Sequence, residues 1–298
     1  MQITERIAEL GIVPVVKIEN ADQAVALGKA LINAHLNVIE ITFRTAAAAD
    51  AIKVVAAALP ELLVGAGTVL SRKQVDEAIL SGAKFIVTPG FNPDVVSYCV
   101  EKDIPIIPGC SSPSDIEAAL SFGLNVVKFF PAEQLGGLPM IKALSAPYGN
   151  VKFIATGGIN EKNFRAYLDY PKVIAIAGSW MVLPELVEKE NFTEIEKLSK
   201  SAVETMLGLS ISQVELKRES LNKATLWSDA TDGLISQDLK DHQSSVITLQ
   251  TLDLKRAKVH FQSLGLVLDF EVTTPQGIKE VQFKDHPSGF DVKLIEKK

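Results

Sequence analysis

Cysteine is scarce in this chain: Cys99 and Cys110 are the only two among 298 residues. Two are too few for a disulfide framework, and both sit among apolar neighbours, so a reduced, cytoplasmic protein is the expectation. Aromatic residues make up 6%, which leaves little material for stacking nucleobases. No block of Lys and Arg occurs, and the formal net charge is -6. Nucleic acid and anionic membrane surfaces are therefore poor candidate partners. No apolar run is long enough to cross a bilayer, and residues 1–6 lack the charged-then-apolar pattern of a leader. A Gly-rich phosphate turn is missing after the first apolar run, where Lys17-Ile18-Glu19-Asn20 stands instead. That counts against an open dinucleotide-binding sheet.

What the chain does have is a steady alternation. Hydrophobic residues are 47% and charged residues 22%, enough for a large core. Short apolar runs that read as strands fall at residues 12–17, 38–42, 62–66, 85–88, 104–107, around Lys128, 151–155 and 173–177. Between and around them, helical spacing marks 4–10, 21–34, 46–59, 74–81, 93–102, 113–122, 138–144, 161–168 and 184–207. Buried strands alternating with amphipathic helices imply a parallel sheet. Eight such units in about 200 residues fit an α/β fold of the (β/α)8 TIM-barrel type.

One run carries a charge in its middle. Val126-Val127-Lys128-Phe129-Phe130 is apolar on both sides of Lys128 and is bounded by Gly123 and Pro131. A lysine is almost never fully buried without a partner or a task. Desolvation favours a neutral amine, and a neutral amine is a nucleophile toward a ketone. The alternative is an ammonium that reaches solvent or pairs with a structural carboxylate. Glu40 interrupts the second run in the same way. One buried charge alone costs several kcal/mol, whereas a facing pair is tolerable. Glu40 and Lys128 are therefore either a structural ion pair or a nucleophile with its proton-transfer partner.

In a barrel, the C-terminal strand ends build the active site. Here those ends carry Glu40, Thr42 and Arg44; Gly65-Ala66-Gly67-Thr68; Thr88-Pro89-Gly90; Pro108-Gly109-Cys110-Ser111; Lys128; Thr156-Gly157-Gly158; and Gly178-Ser179. Arg44 offers a planar fork for a carboxylate, or is a solvated loop residue. Thr68 is a candidate hydroxyl donor, or a helix N-cap. Gly157-Gly158 and Gly178-Ser179 let backbone N–H groups approach an anion, or are ordinary tight turns.

The segments Glu40-Ile41-Thr42-Phe43-Arg44, Gly65-Ala66-Gly67-Thr68, Lys128-Phe129-Phe130-Pro131-Ala132-Glu133 and Thr156-Gly157-Gly158 resemble one family of class I pyruvate aldolases. These act on 2-keto-3-deoxy-6-phosphogluconate (KDPG) and 4-hydroxy-2-oxoglutarate (KHG). The resemblance covers residues 1–207. It implies a Schiff base on Lys128, proton shuttling by Glu40, and carboxylate binding near Arg44 and Thr68. Pro89 would shape the pocket, and Gly157, Gly158, Gly178 and Ser179 would hold a distal phosphate or carboxylate. The partner implied is a small keto acid, with no cofactor, no metal and a homotrimeric assembly. Two departures from the family pattern stand out. His35 replaces the usual glycine before the glutamate strand, which is expected to touch only a helix end. Ala177 replaces a glycine before Gly178-Ser179, which counts against a tight phosphate pocket. A ligand-binding or regulatory protein on a decayed barrel is the competing reading, and the intact Glu40, Arg44 and Lys128 oppose it. A phosphate-binding isomerase or a metal-dependent aldolase would also keep the barrel, but the strand ends hold no His/Asp/Glu cluster.

The texture changes after Gly208. Residues 210–298 contain no tyrosine but three of the four histidines, His242, His260 and His286. Strand patterns at 246–249, 266–272, 278–283 and 290–295 flank helical spacing at 254–264 (Leu254, Ala257, Phe261, Leu264). The expected organisation is a barrel at 1–208, an irregular segment at 209–244 with a linker near 209–214, and a small α+β (βαβββ) domain at 245–298. Over residues 245–296 this domain is similar to half of a glyoxalase-type (vicinal oxygen chelate) module. That superfamily often places a metal-binding glutamate on the last strand, where this chain has Lys293, so the three histidines are read as structural or surface residues. One half-module cannot close its own sheet, so it is expected to pair with another copy or cover the barrel, in an assembly or partner-binding role.

Overall fold

Eight short apolar runs form one parallel sheet in a computed structural model that describes residues 2–215, 235–236, 245–274, 277–284 and 290–297. The strands are β1 (Ile12–Val16), β2 (Val38–Thr42), β3 (Leu63–Gly67), β4 (Phe85–Val87), β5 (Ile106–Ile107), β6 (Val126–Phe129), β7 (Lys152–Thr156) and β8 (Val173–Gly178). Their order is β5-β4-β3-β2-β1-β8-β7-β6. A parallel bridge between Gly109 and Lys128 joins the two end strands. There, Lys128 N–H donates to Pro108 O at 2.9 Å and Cys110 N–H donates to Lys128 O at 2.8 Å. The sheet thus closes on itself and has no free edge. The buried lysine lies on the closing seam.

The helices are α1 (Ile3–Leu10), α2 (Ala24–Asn33), α3 (Ala48–Ala58), α4 (Arg72–Leu80), α5 (Pro93–Glu101), α6 (Pro113–Ser121), α7 (Gly137–Ser145), α8 (Phe164–Leu168), α9 (Pro184–Glu188) and α10 (Phe192–Leu207). Local chemistry sets their starts. Ser71, Asn92 and Ser112 each accept a backbone N–H from the first turn of α4, α5 and α6. Ser112 and Asp115 close a capping box on each other, with Pro113 between them. The helical stretch expected at 184–207 is broken in two, because Glu190 takes a left-handed φ of 54° and Asn191 restarts the chain by capping Glu194 N–H at 3.3 Å. The strand expected at 104–107 shrinks to two residues, where Pro105 has no N–H to give.

Inside the barrel, Val13, Val38, Phe85, Val87, Ile107, Ile154, Ala175 and Ala177 form one cluster with Ile7 and Leu10 of α1. Because α1 runs directly into β1, it plugs the N-terminal end. The chemistry is left to the other end.

The chain divides into two compact units, Met1–Val203 and Glu204–Lys298. The second holds β9 (Ser210–Glu215), β10 (Ile235–Ser236), β11 (Ser245–Thr251), α11 (Leu254–Ser263), β12 (Val267–Thr274), β13 (Gly277–Lys284) and β14 (Phe290–Glu296). The expected βαβββ order appears as β11-α11-β12-β13-β14. The sheet order is β10-β9-β11-β14-β13-β12, with β11 parallel to β14 and antiparallel to β9. One correction follows: residues 210–215, expected as linker, are a strand, with Val214 paired to Ile247 and Ile211 to Leu249. Ile211 and Val214 stand three residues apart, and the register shifts between Thr248 and Leu249, so no period-two pattern marks the strand. Phe261 of α11 stacks on Phe283 at 5.8 Å, over the buried Val281 and Leu294. Lys293 is ion-paired to Glu280 at 2.9 Å. His260 lies on α11 edge-on to Phe261; His242 and His286 fall outside the described residues.

Candidate active site

Lys128 and Glu40 meet inside the barrel. Their side chains come from β6 and β2, and Lys128 Nζ lies 3.3 Å from Glu40 Oε1. Lys128 is 6% exposed and Glu40 2%. Neither charge could sit there alone without a cost of several kcal/mol, so each is the condition for the other. The ring of Phe130 faces the ammonium with its centroid 5.4 Å from Nζ, which adds a cation–π contact. Gly67 makes room for the carboxylate: a Cβ there would stand 2.2 Å from Glu40 Oε1.

Thr156, at the end of β7, is a neighbour that the sequence reading named in the Thr156-Gly157-Gly158 motif without giving it a role of its own. Its side chain is buried, and among the described residues its Oγ1 has no hydrogen-bond partner. With Glu40 and Lys128 it lines a cavity inside the barrel that leaves about 10 Å³ for the centre of a water molecule. Glu40, Lys128 and Thr156 are the polar members of its otherwise apolar lining. The available signal was parity: Thr156 is two residues past the core-facing Ile154, so it faces the same interior.

The ladder brings the anion-binding candidates to the same end of the barrel. Thr42 pairs with Gly67, so Arg44 and Thr68 follow adjacent strands. Arg44 is exposed and forms no ion pair with the described residues. Thr68 holds a left-handed φ of 57°, a strained setting for a β-branched residue. Pro89 follows β4 half-buried, and its carbonyl packs against Gly109, where a Cβ would stand 2.3 Å away. Neither Arg44, Thr68 nor Pro89 hydrogen-bonds to the Lys128–Glu40 pair. Across the barrel, Thr156 pairs with Ala177, so the Gly157-Gly158 and Gly178-Ser179 turns lie side by side. Gly157 and Gly158 take φ of 99° and 75°, which glycine adopts freely. Ser179 Oγ donates to Val15 O at 2.8 Å, and Trp180 covers Gly178, where a Cβ would meet its ring at 2.2 Å.

Both family departures find a place. His35 ends α2 in the left-handed region, φ 59°, which explains why glycine suits that position. Burial, with Lys200 nearby, lowers its imidazole below the ordinary value. Ala177 points into the barrel core with Ala175, so its methyl does not enter the Gly157-Gly158 turn. Cys99 and Cys110 are buried, which pushes each thiol up to about 12; both are therefore poor nucleophiles at neutral pH. Among the described residues, no group of three or more His, Cys, Asp or Glu is placed to hold a metal ion. Among them also, no helix is long and apolar enough to cross a membrane.

The class that the fold defines is the closed parallel (β/α)8 barrel, here with a lysine amine and a carboxylate in contact inside it. The sequence profile of the family described as "KDPG and KHG aldolase" matches residues 3–198. The chain belongs to that family. A 2-dehydro-3-deoxy-phosphogluconate aldolase of Haemophilus influenzae is 47% identical over 203 residues, which are 68% of this chain and 96% of that protein. A KHG/KDPG aldolase of Escherichia coli is 40% identical over 193 residues, 65% of this chain and 91% of that one. The crystal structure of a KDPG aldolase from Legionella pneumophila, with pyruvate captured as a covalent carbinolamine, superposes with a TM-score of 0.66 at 36% identity. It covers 68% of this chain and 98% of that one.

Proposed function

We propose that this protein is a Schiff-base aldolase that splits KDPG, or KHG, into pyruvate and an aldehyde. The aldehyde is glyceraldehyde 3-phosphate in the first case and glyoxylate in the second. The observation that carries the reading is the buried contact between Lys128 Nζ and Glu40 Oε1 at 3.3 Å.

Proton transfer from Lys128 to Glu40 leaves a free amine beside a carboxylic acid. The amine adds to the C2 ketone of the substrate. Glu40, directly or through a water held with Thr156, returns the proton that lets the carbinolamine hydroxyl leave as water. The product is a protonated imine, which draws electrons from the adjacent carbon. Glu40, a carboxylate again, takes the C4 hydroxyl proton directly or through water; the C3–C4 bond breaks, the aldehyde departs, and the electron pair stays as an enamine of pyruvate. Protonation at C3 and hydrolysis of the imine release pyruvate and restore Lys128. No step calls for a metal or an organic cofactor.

Arg44 and Thr68 bind the carboxylate next to the ketone, with Pro89 as a wall. Gly157, Gly158, Gly178 and Ser179 receive the distal anion through backbone N–H groups. Both substrates share the pyruvate half, so the far turns decide between them. The working form is a cytoplasmic homotrimer, and the module after Gly208 serves its assembly or binds a partner. The test is cleavage of both keto acids by the purified protein, compared by kcat/KM; release of pyruvate from neither substrate would refute the proposal.

A further inference from the structure

The turn that carries Gly157 and Gly158 is braced from two sides. On one, Asn160 and Asn163 donate side-chain N–H groups to Gly158 O at 3.1 and 3.0 Å. On the other lies the loop that follows the Lys128 strand. Ala132 N–H donates to Thr156 O at 2.7 Å, and Glu133 N–H donates to Gly157 O at 3.1 Å. The packing is close: a Cβ on Gly157 would stand 2.9 Å from Pro131 Cα, and one on Gly158 would stand 2.6 Å from Glu133 Cβ.

Glu133 has its own anchor. Tyr167 of α8 is 2% exposed and donates its hydroxyl to Glu133 Oε1. The backbone of Leu138, in the first turn of α7, reaches the same hydroxyl. Burial, and then the bond to Glu133, push the Tyr167 phenol above its ordinary value, so it remains a donor throughout the neutral range. Neither residue hydrogen-bonds to Lys128 or Glu40. A carboxylate beside an anion site works against anion binding unless it holds geometry that the anion needs.

We propose that Glu133 and Tyr167 form a latch that positions the Gly157-Gly158 turn for the distal anion of the substrate. Both are positioning residues, and the inference rests on the aldolase reading above. Without the latch, the loop at 131–133 loses its side-chain anchor. A turn of two glycines has many conformations open to it, and its N–H groups then cease to converge on one point. The pyruvate half is held at Lys128, and neither Gly157 nor Gly158 lines the cavity around that amine.

The expected result is a split. Tyr167→Phe and Glu133→Ala each raise KM for KDPG about tenfold, the size of one hydrogen bond to a charged group, while kcat stays near the wild-type value. Labelling of Lys128 by pyruvate with borohydride, and deuterium exchange into the pyruvate methyl group, stay as in the wild type. Glu133→Gln keeps the acceptor oxygen and restores KM. The double variant is no worse than either single one, because the two residues act as a unit. Unchanged KM in both single variants overturns the latch, as do equal losses for KDPG and pyruvate, or additive losses in the double variant. A wild-type protein that pyruvate and borohydride fail to label overturns the aldolase reading and this inference with it.

Discussion

Removing one partner of the Lys128–Glu40 pair is the perturbation with the largest calculable consequence. The two charged atoms are 3.3 Å apart, and the side chains are 7% and 3% exposed. With an effective dielectric constant of about 20, their attraction at that separation is about 5 kcal/mol. Lys128→Met fills the same volume but leaves a buried carboxylate alone, which costs about 3–5 kcal/mol. For a domain of this size each kcal/mol lowers Tm by about 2–4 °C, so the expected fall is roughly 6–20 °C. Adding Glu40→Gln to Lys128→Met removes the orphan charge and recovers most of that loss. Neither variant cleaves substrate. The assay is thermal and urea unfolding of the wild type, both single variants and the double. Single variants that each cost under about 1 kcal/mol would refute the reasoning, since that is the value of an exposed, hydrated pair. Full additivity in the double variant would refute it equally.

Three further outcomes follow from other parts of the site and scaffold. Thr68→Gly relieves the left-handed strain at φ 57° and is expected to hold or raise stability by about 1 kcal/mol, while KM for pyruvate-half binding rises because the hydroxyl is lost; thermal unfolding and pyruvate titration read the two effects separately. Burial pushes the Asp115 carboxyl up, but bonds from Ser111 and Ser112 outweigh it and hold it below its ordinary 3.8. Its cap is therefore complete above pH 3.8 and is lost as pH falls through the lower native value, so the stability gap between wild type and Asp115→Asn should close on acidification below 3.8. A chain ending at Gly208 keeps α10 whole and should retain cleavage, because relatives matched over 203 residues are covered to 96% of their own length; pyruvate release measures activity, and light scattering shows whether assembly changes.

The barrel was legible because its physics is local. Eight short apolar runs, each followed by a helix, leave a parallel sheet as the arrangement that buries both faces. Lys128 and Glu40 announced themselves as charges inside such runs. Distances were not legible: nothing in the spacing says that two residues 88 positions apart touch, nor that Gly67 is bare to admit Glu40. Thr156 was named in its motif but given no role, because a threonine at a strand end is ordinary; in the closed barrel its buried hydroxyl has no hydrogen-bond partner among the described residues. The direction of the Ala177 side chain was not legible for a related reason. Its position beside Gly178-Ser179 suggested the phosphate turn, yet strand alternation sends its methyl into the core. In the second unit, β9 hid behind serines and glutamine, since pairing with β11 rather than apolar content makes it a strand.

The most direct test of the central claim is borohydride reduction of the protein in the presence of pyruvate, followed by peptide mapping. The predicted result is one stable adduct, on Lys128, absent from Lys128→Met and unaffected by EDTA. No adduct on the wild type, or an adduct on another lysine, would contradict it.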